Sequence, residues 1–252
     1  MTGPLAYIGG KNRIAKDIIA IFPKHTTYVE GFSGGAQVLF HKEPSSVEVL
    51  NDLDNDVVNF FRVCQLHHGE LLRCLKFILA SRKWFALFEA ENPASLTDIQ
   101  RAARFFYLQK NAFAGMVTGR QYSYGVEGPK SFNPESLPDL LERAHQRLQR
   151  VQIESLPTSE IIRRFDRQET LFYLDPPYWH RKLYRFNFND QDFRNLADQL
   201  RSIMGKFILS INDVPEVREI FRGFQFREIK IPYTAQRDAG KRFPELLITN
   251  FK

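Results

Sequence analysis

Short apolar runs set far apart limit the fold of this chain more than any other feature. Residues 26–32 (TTYVEGF), 46–50 (SVEVL), 171–174 (LFYL) and 206–211 (KFILSI) are four to seven residues long and rich in β-branched or aromatic side chains. Such runs read as buried strands. Helical patterning lies between them, and strands that alternate with helices pair in parallel with both faces covered. The expected fold class is α/β, a mostly parallel sheet with helices on its faces. Residues 226–231 and 245–251 are expected to close it as an antiparallel pair. No apolar stretch reaches the roughly 18–20 residues that a membrane span requires. The opening MTGPLAYIGGKNR has no signal-peptide core, so a cytoplasmic protein is expected.

The middle of the chain departs from this alternation. Residues 54–66, 70–80, 96–109 and 135–150 all carry helical patterns. A helical insertion, 54–150, is therefore expected to interrupt a sheet domain made of residues 1–53 and 151–252. Its last two helices flank residues 111–133 (NAFAGMVTGRQYSYGVEGPKSFN), a loop long enough to imply function. Residues 101–130 hold five Lys or Arg against one acid, Glu127, among Phe105, Phe106, Tyr107, Phe113, Tyr122 and Tyr124. Positive charge interleaved with aromatics suits a nucleic-acid surface. For the helical part, a solvated face backed by an aromatic core face would read the same way. The formal net charge of +6 favours a polyanionic partner. Cys64 and Cys74 have neither metal-ligand nor disulfide spacing, and His67-His68 reads as a polar helix end, so no metal is expected.

Two segments can carry chemistry. In YVEGFSGGAQVLF, residues 28–40, a strand runs through a glycine turn into a helix, the arrangement that brings backbone N–H groups against a ligand. Asp52 ends the next strand, where a carboxylate can accept from ribose hydroxyls. A tight turn with a helix-capping Asp would give the same letters. The second segment is Asp175-Pro176-Pro177-Tyr178, directly after an apolar strand. Open α/β sheets place ligands at that end of a strand. An aromatic exocyclic amine is a poor nucleophile because its lone pair is delocalised into the ring. Acceptors gripping both its N–H groups favour a pyramidal nitrogen. Asp175 offers one acceptor and the Pro176 carbonyl another, held because Pro177 restricts the residue before it. Neither proline brings a competing N–H. Tyr178 offers a flat face for stacking.

With these motifs in their order, the chain resembles the Dam-type (D12 class) DNA adenine-N6 methyltransferases. That resemblance runs from about residue 6 to residue 251. It implies a Rossmann-like class I methyltransferase sheet, an inserted helical target-recognition subdomain, and S-adenosylmethionine as cofactor. Tyr7-Ile8-Gly9-Gly10-Lys11 is similar to the family's N-terminal motif beside the cofactor. Glu30, Phe32, Ser33, Gly34 and Gly35 resemble its cofactor loop, and Asn51-Asp52 its ribose-binding strand end. Glu154-Ser155-Leu156 loosely resembles the segment covering the cofactor adenine, which puts Leu156 there. The resemblance makes Asp175, Pro176, Pro177 and Tyr178 the catalytic motif, with Asp175 also bordering the cofactor. Residues 111–133 look like the DNA-reading hairpin, which implies contacts from Asn111, Arg120, Tyr122, Lys130 and Asn133, with Arg120 and Asn133 on base edges.

The function expected is methyl transfer to the N6 amine of an adenine flipped out of double-stranded DNA. Arg181, Lys182 and Arg185, just past the motif, are expected to join the insertion in holding phosphates. A cognate restriction endonuclease is a candidate partner, and a monomer or weak dimer is expected. An RNA or other amine methyltransferase, or an inactive DNA-binding relative, would share much of this pattern.

Overall fold

The computed structural model describes residues 1–123, 132–229 and 245–252. Lys130 and most of the second half of the 111–133 loop lie outside the described residues. Among them, seven strands form one sheet: β1 (Thr27–Glu30), β2 (Val47–Asn51), β3 (Val151–Glu154), β4 (Thr170–Leu174), β5 (Lys206–Asn212), β6 (Gln225–Ile229) and β7 (Glu245–Thr249). Their order is β3-β2-β1-β4-β5-β7-β6. The first five are parallel, and β7 runs antiparallel between β5 and β6. This mixed, mostly parallel α/β sheet has a Rossmann-like order, and the expected closing pair forms.

Side chains on successive strand residues point to opposite faces. Tyr28, Leu50, Leu171, Tyr173, Ile208 and Leu247 enter one core, while Val29, Val49, Phe172, Leu174, Phe207, Leu209, Leu246 and Ile248 enter the other. The second core is covered by α8 (Thr158–Phe165), α9 (Asp190–Ser202) and α10 (Pro215–Ile220). The first is covered by α1 (Ala15–Ala20), α2 (Gln37–His41) and the helices between β2 and β3: α3 (Asn55–Leu66), α4 (His68–Leu75), α5 (Arg82–Ala90), α6 (Asp98–Asn111) and α7 (Leu137–Leu148). The core is continuous from the sheet into the insertion through Phe60, Phe61, Phe105, Phe106 and Tyr107.

Local chemistry sets the element ends. Asp54 caps α3 by accepting from the Asp56 N–H, and Thr97 with Gln100 forms a capping box at α6. The patterns expected at 54–66, 96–109 and 135–150 match α3, α6 and α7 to within a turn. The pattern expected at 70–80 ends at Leu75, and α5 then begins after Ser81. β3 was not expected: it is a short edge strand with one buried residue, Val151, so it shows little apolar alternation. Among the described residues, no helix is long and apolar enough to cross a membrane.

Candidate active site

The strand order reverses between β1 and β4, and open α/β sheets leave a crevice outside the carboxyl ends there. A cleft of about 810 Å³, open mouth included, lies at this point. Its walls are the segment 7–11, the turn after β1, the end of β2, the start of the DPPY motif and residues 184–188.

The turn after β1 folds tightly. Gly34 has φ +44° and a Cβ there would lie 3.0 Å from the Tyr7 ring, so only glycine fits without strain. The Gly34 N–H donates to Asp52 at 2.8 Å, and the Asp54 N–H donates to its other oxygen at 2.9 Å. Burial, opposed by these donors, pushes the Asp52 carboxyl up to about 6. Glu30 sits deeper and accepts from the Tyr28 hydroxyl at 2.9 Å and the Leu39 N–H at 3.1 Å. Burial pushes Glu30 up to about 8. Phe32 lines the same wall, edge-on to Phe188 with centroids 5.5 Å apart.

At the end of β4, Asp175 meets Lys11. The Lys11 ammonium lies 2.7 Å from one Asp175 oxygen and 2.9 Å from the other. It is 3.3 Å from Glu245, the first residue of β7, and 5.1 Å from the centre of the Tyr178 ring. The Tyr178 hydroxyl donates to Glu245 at 2.5 Å, and Ser210 donates to the other oxygen of Glu245. Burial pulls the lysine down, but Asp175 and Glu245 more than reverse this and hold it well above its usual range. Burial raises Asp175 to about 6, against the pull of Lys11 and with a push from Glu245. The cluster is a buried cation shared by two carboxylates, one of which faces the cleft.

A strap past the motif fixes the mouth. The Tyr184 hydroxyl donates to the Ile8 carbonyl at 3.3 Å, and Thr118 donates to the Leu183 carbonyl at 3.4 Å. The Arg185 guanidinium pairs with Asp54 at 2.9 Å and Asp56 at 2.7 Å.

This arrangement is accompanied by a match over residues 7–235 to the D12 class N6 adenine-specific DNA methyltransferase family. The chain belongs to that family. It is an adenine-N6 DNA methyltransferase. Relatives include the type II methyltransferase M.MjaIII of Methanocaldococcus jannaschii, 23% identical over 98% of each chain. The type II methyltransferase M.CviBI of Paramecium bursaria Chlorella virus NC1A is 23% identical over 96% of this chain and 95% of its own. The DNA adenine methylase of Haemophilus influenzae is 23% identical over 94% of this chain and 89% of its own.

In this methyltransferase Tyr7, Gly9, Lys11, Glu30, Phe32, Ser33, Gly34, Gly35, Asp52, Asp175 and Pro177 line one cleft. Pro176 is buried beside it. Leu156 does not line the cleft: its backbone N–H and C=O are tied to Asn51, and its side chain packs into the second core. Leu53, Phe186 and Phe188 occupy the wall instead.

The residues expected on DNA divide. Asn133, Arg181 and Lys182 are exposed. Tyr122 is half-buried, edge-on to Phe85, and pairs antiparallel with Ala112 at the base of the loop. Asn111 is fully buried and donates to the Tyr107 carbonyl, so it offers no surface. The Arg120 side chain is 3% exposed, donates to Gln109 at 3.1 Å and pairs with Glu89. The Asn111 amide nitrogen and two of the Arg120 nitrogens find partners inside the insertion, while Asn111 Oδ1 and Arg120 Nη2 are buried without a hydrogen bond among the described residues. Arg185 is held by the carboxylates at the start of α3, which makes it a strut across the cleft mouth. Glu245 was missed, since it stands in no motif, and an acid before an apolar strand carries no signal of its own.

Proposed function

We propose that the cleft binds S-adenosylmethionine, and that Asp175 with the Pro176 carbonyl holds the N6 amine of an adenine flipped out of duplex DNA. The observation that carries this reading is the convergence of Glu30, Asp52 and Asp175 on one cleft beside the glycine turn. Asp52 and Asp175 suit a ligand with positive charges and hydroxyls, Glu30 adds a buried polar group behind them, and Phe32, Leu53 and Phe188 suit its flat ring. When bound, S-adenosylmethionine supplies an electrophilic methyl group on a sulfonium.

The chain's own residues do the rest. Asp175 and the Pro176 carbonyl engage the two N–H groups of the amine, which leaves its lone pair directed away from them. Fixing both partners is the proximity contribution, and aiming preorganised acceptors at the nitrogen is the electrostatic one. The nitrogen sheds one proton on methylation, and Asp175 is the acceptor in reach. Tyr178 presents its ring to the base, oriented through its hydroxyl by Glu245. Opening a base pair costs a few kcal/mol, which DNA contacts must repay. We assign those to the 54–150 insertion as the target-recognition subdomain, with Asn133 reading bases and Arg181 and Lys182 holding phosphates. The type II names of two relatives support a cognate restriction endonuclease as partner. We assign the protein to the cytoplasm, bacterial or phage-encoded. We expect the protein to act as a monomer or weak dimer.

The test is incubation with tritium-labelled S-adenosylmethionine and unmethylated DNA, followed by digestion and identification of the labelled nucleoside. Label in N6-methyladenine, lost by about 10²–10³-fold or more in Asp175→Ala with DNA binding retained, is the expected result. Retained activity in that variant would remove Asp175 from the chemistry.

A further inference from the structure

Asp175 is the acceptor for the target amine in the proposed function, and in this structure both its oxygens are already engaged. Lys11 Nζ lies 2.7 Å from one and 2.9 Å from the other. An incoming N–H must share a carboxylate oxygen with the ammonium or displace it from one, and either way Lys11 loses part of its hold on Asp175. Lys11 is buried, so an ammonium moved off Asp175 with no second anion would be stranded at a cost of several kcal/mol.

A second anion is in place. Glu245 Oε1 is 3.3 Å from Lys11 Nζ, and Glu245 is also buried. Its other oxygen, Oε2, accepts from the Tyr178 hydroxyl, and Ser210 donates to Oε1, the oxygen that faces Lys11. It reaches this edge of the sheet because β7 is antiparallel: Asn212, the last residue of β5, pairs with Glu245, the first of β7. Glu245 lies beyond residue 235, where the family match ends.

We propose that Glu245 is a positioning residue for methyl transfer, which fixes the Tyr178 ring through its hydroxyl and takes over the Lys11 ammonium when the target amine engages Asp175. The inference rests on the assignment of Asp175 to the amine. A lysine head on a flexible stem, with three donors, can exchange one carboxylate for another by a small rotation. The Gly9 carbonyl at 3.2 Å accepts from the same ammonium, so it is not left with one partner during the exchange.

The experiment compares wild type, Glu245→Gln, Glu245→Asp and Asp175→Ala in S-adenosylmethionine binding, DNA binding and kcat across about pH 5 to 9. The charged and titratable groups that act on Asp175 are Lys11, Glu30, Tyr173, Tyr178, Tyr184 and Glu245. Glu245→Gln is expected to bind both ligands within about twofold of wild type while kcat falls about tenfold or more. Its acidic limb should move to lower pH, because a negative neighbour of Asp175 is gone. Glu245→Asp should keep the limb in place and recover part of kcat. Wild-type kcat and an unmoved limb in Glu245→Gln would overturn the proposal. A parallel fall of Tm and cofactor affinity in both Glu245 variants would do so too, as the mark of a purely structural residue. If Glu245→Gln does not fold, Glu245→Asp decides alone: full kcat with the carboxylate withdrawn by one methylene overturns the proposal, and a partial kcat with unchanged KM supports it. Activity in Asp175→Ala would instead sink the site assignment, whatever Glu245 does.

Discussion

Glu30, Asp52 and Asp175 each keep a carboxylate where water is scarce, and burial raises them to about 8, 6 and 6. A carboxylate raised in the folded state stabilises the protein fully below its unfolded pKa, and that share is lost as pH rises through the folded value. Glu30 spans the widest window, so the Tm of the empty wild type should fall relative to Glu30→Gln between about pH 5 and pH 9. Parallel melting curves across that range would contradict its raised pKa. Activity runs the other way. The kcat of the wild type should drop as pH falls through about 6, where Asp175 gains its proton. Asp52→Asn should weaken S-adenosylmethionine binding by about 1.5–3 kcal/mol, roughly ten- to hundredfold, in calorimetry. Unchanged affinity would take Asp52 out of the site. Lys11, Asp52 and Asp175 were legible in the sequence because each stands in a local run whose order carries meaning. Glu245 was not, because its role comes from strand direction, which no local run encodes.

The strap of residues 183–186 shows the same limit one level up. Arg185 follows the catalytic motif among basic residues, and from sequence it reads as a phosphate contact like Arg181 and Lys182. Its partners, Asp54 and Asp56, come from the start of a helix far away in the chain. A guanidinium already neutralised by two carboxylates releases no DNA counterions. Lys182→Ala should therefore reduce the slope of log K against log salt by about one, whereas Arg185→Ala should leave the slope unchanged and weaken cofactor retention. Equal slopes for the two variants would return Arg185 to the DNA surface. The inward turn of Arg120 escapes the sequence for a related reason, since nothing in the loop's sequence says that Gln109 and Glu89 accept from its Nε and Nη1. The helices α3, α6 and α7 were legible through their apolar spacing, while β3, short and at an edge, was hidden by its polar residues.

At the scale of the molecule, α/β alternation was readable from the strands alone, but the relation of the insertion to the sheet was not. Phe60 stacks on Phe106, 5.5 Å between centroids and 10° between planes, inside a core that also holds Tyr28, Leu50 and Tyr173 from the sheet. Phe60→Ala should cost about 3–5 kcal/mol and lower a single thermal transition that reports sheet and insertion together. Two separated transitions would show that the parts unfold apart. The shared core also bears on how target choice can change. A region joined to its scaffold by side chains from both sides is no interchangeable cassette. A chimera that takes residues 54–150 from a relative inherits helices cut to fit another sheet, while an exchange within the loop between α6 and α7 that keeps Ala112 and Phe132 leaves the packed seam intact. Under the target-reading role proposed for this region, new recognition sequences are more accessible by rewriting that loop than by trading the whole segment.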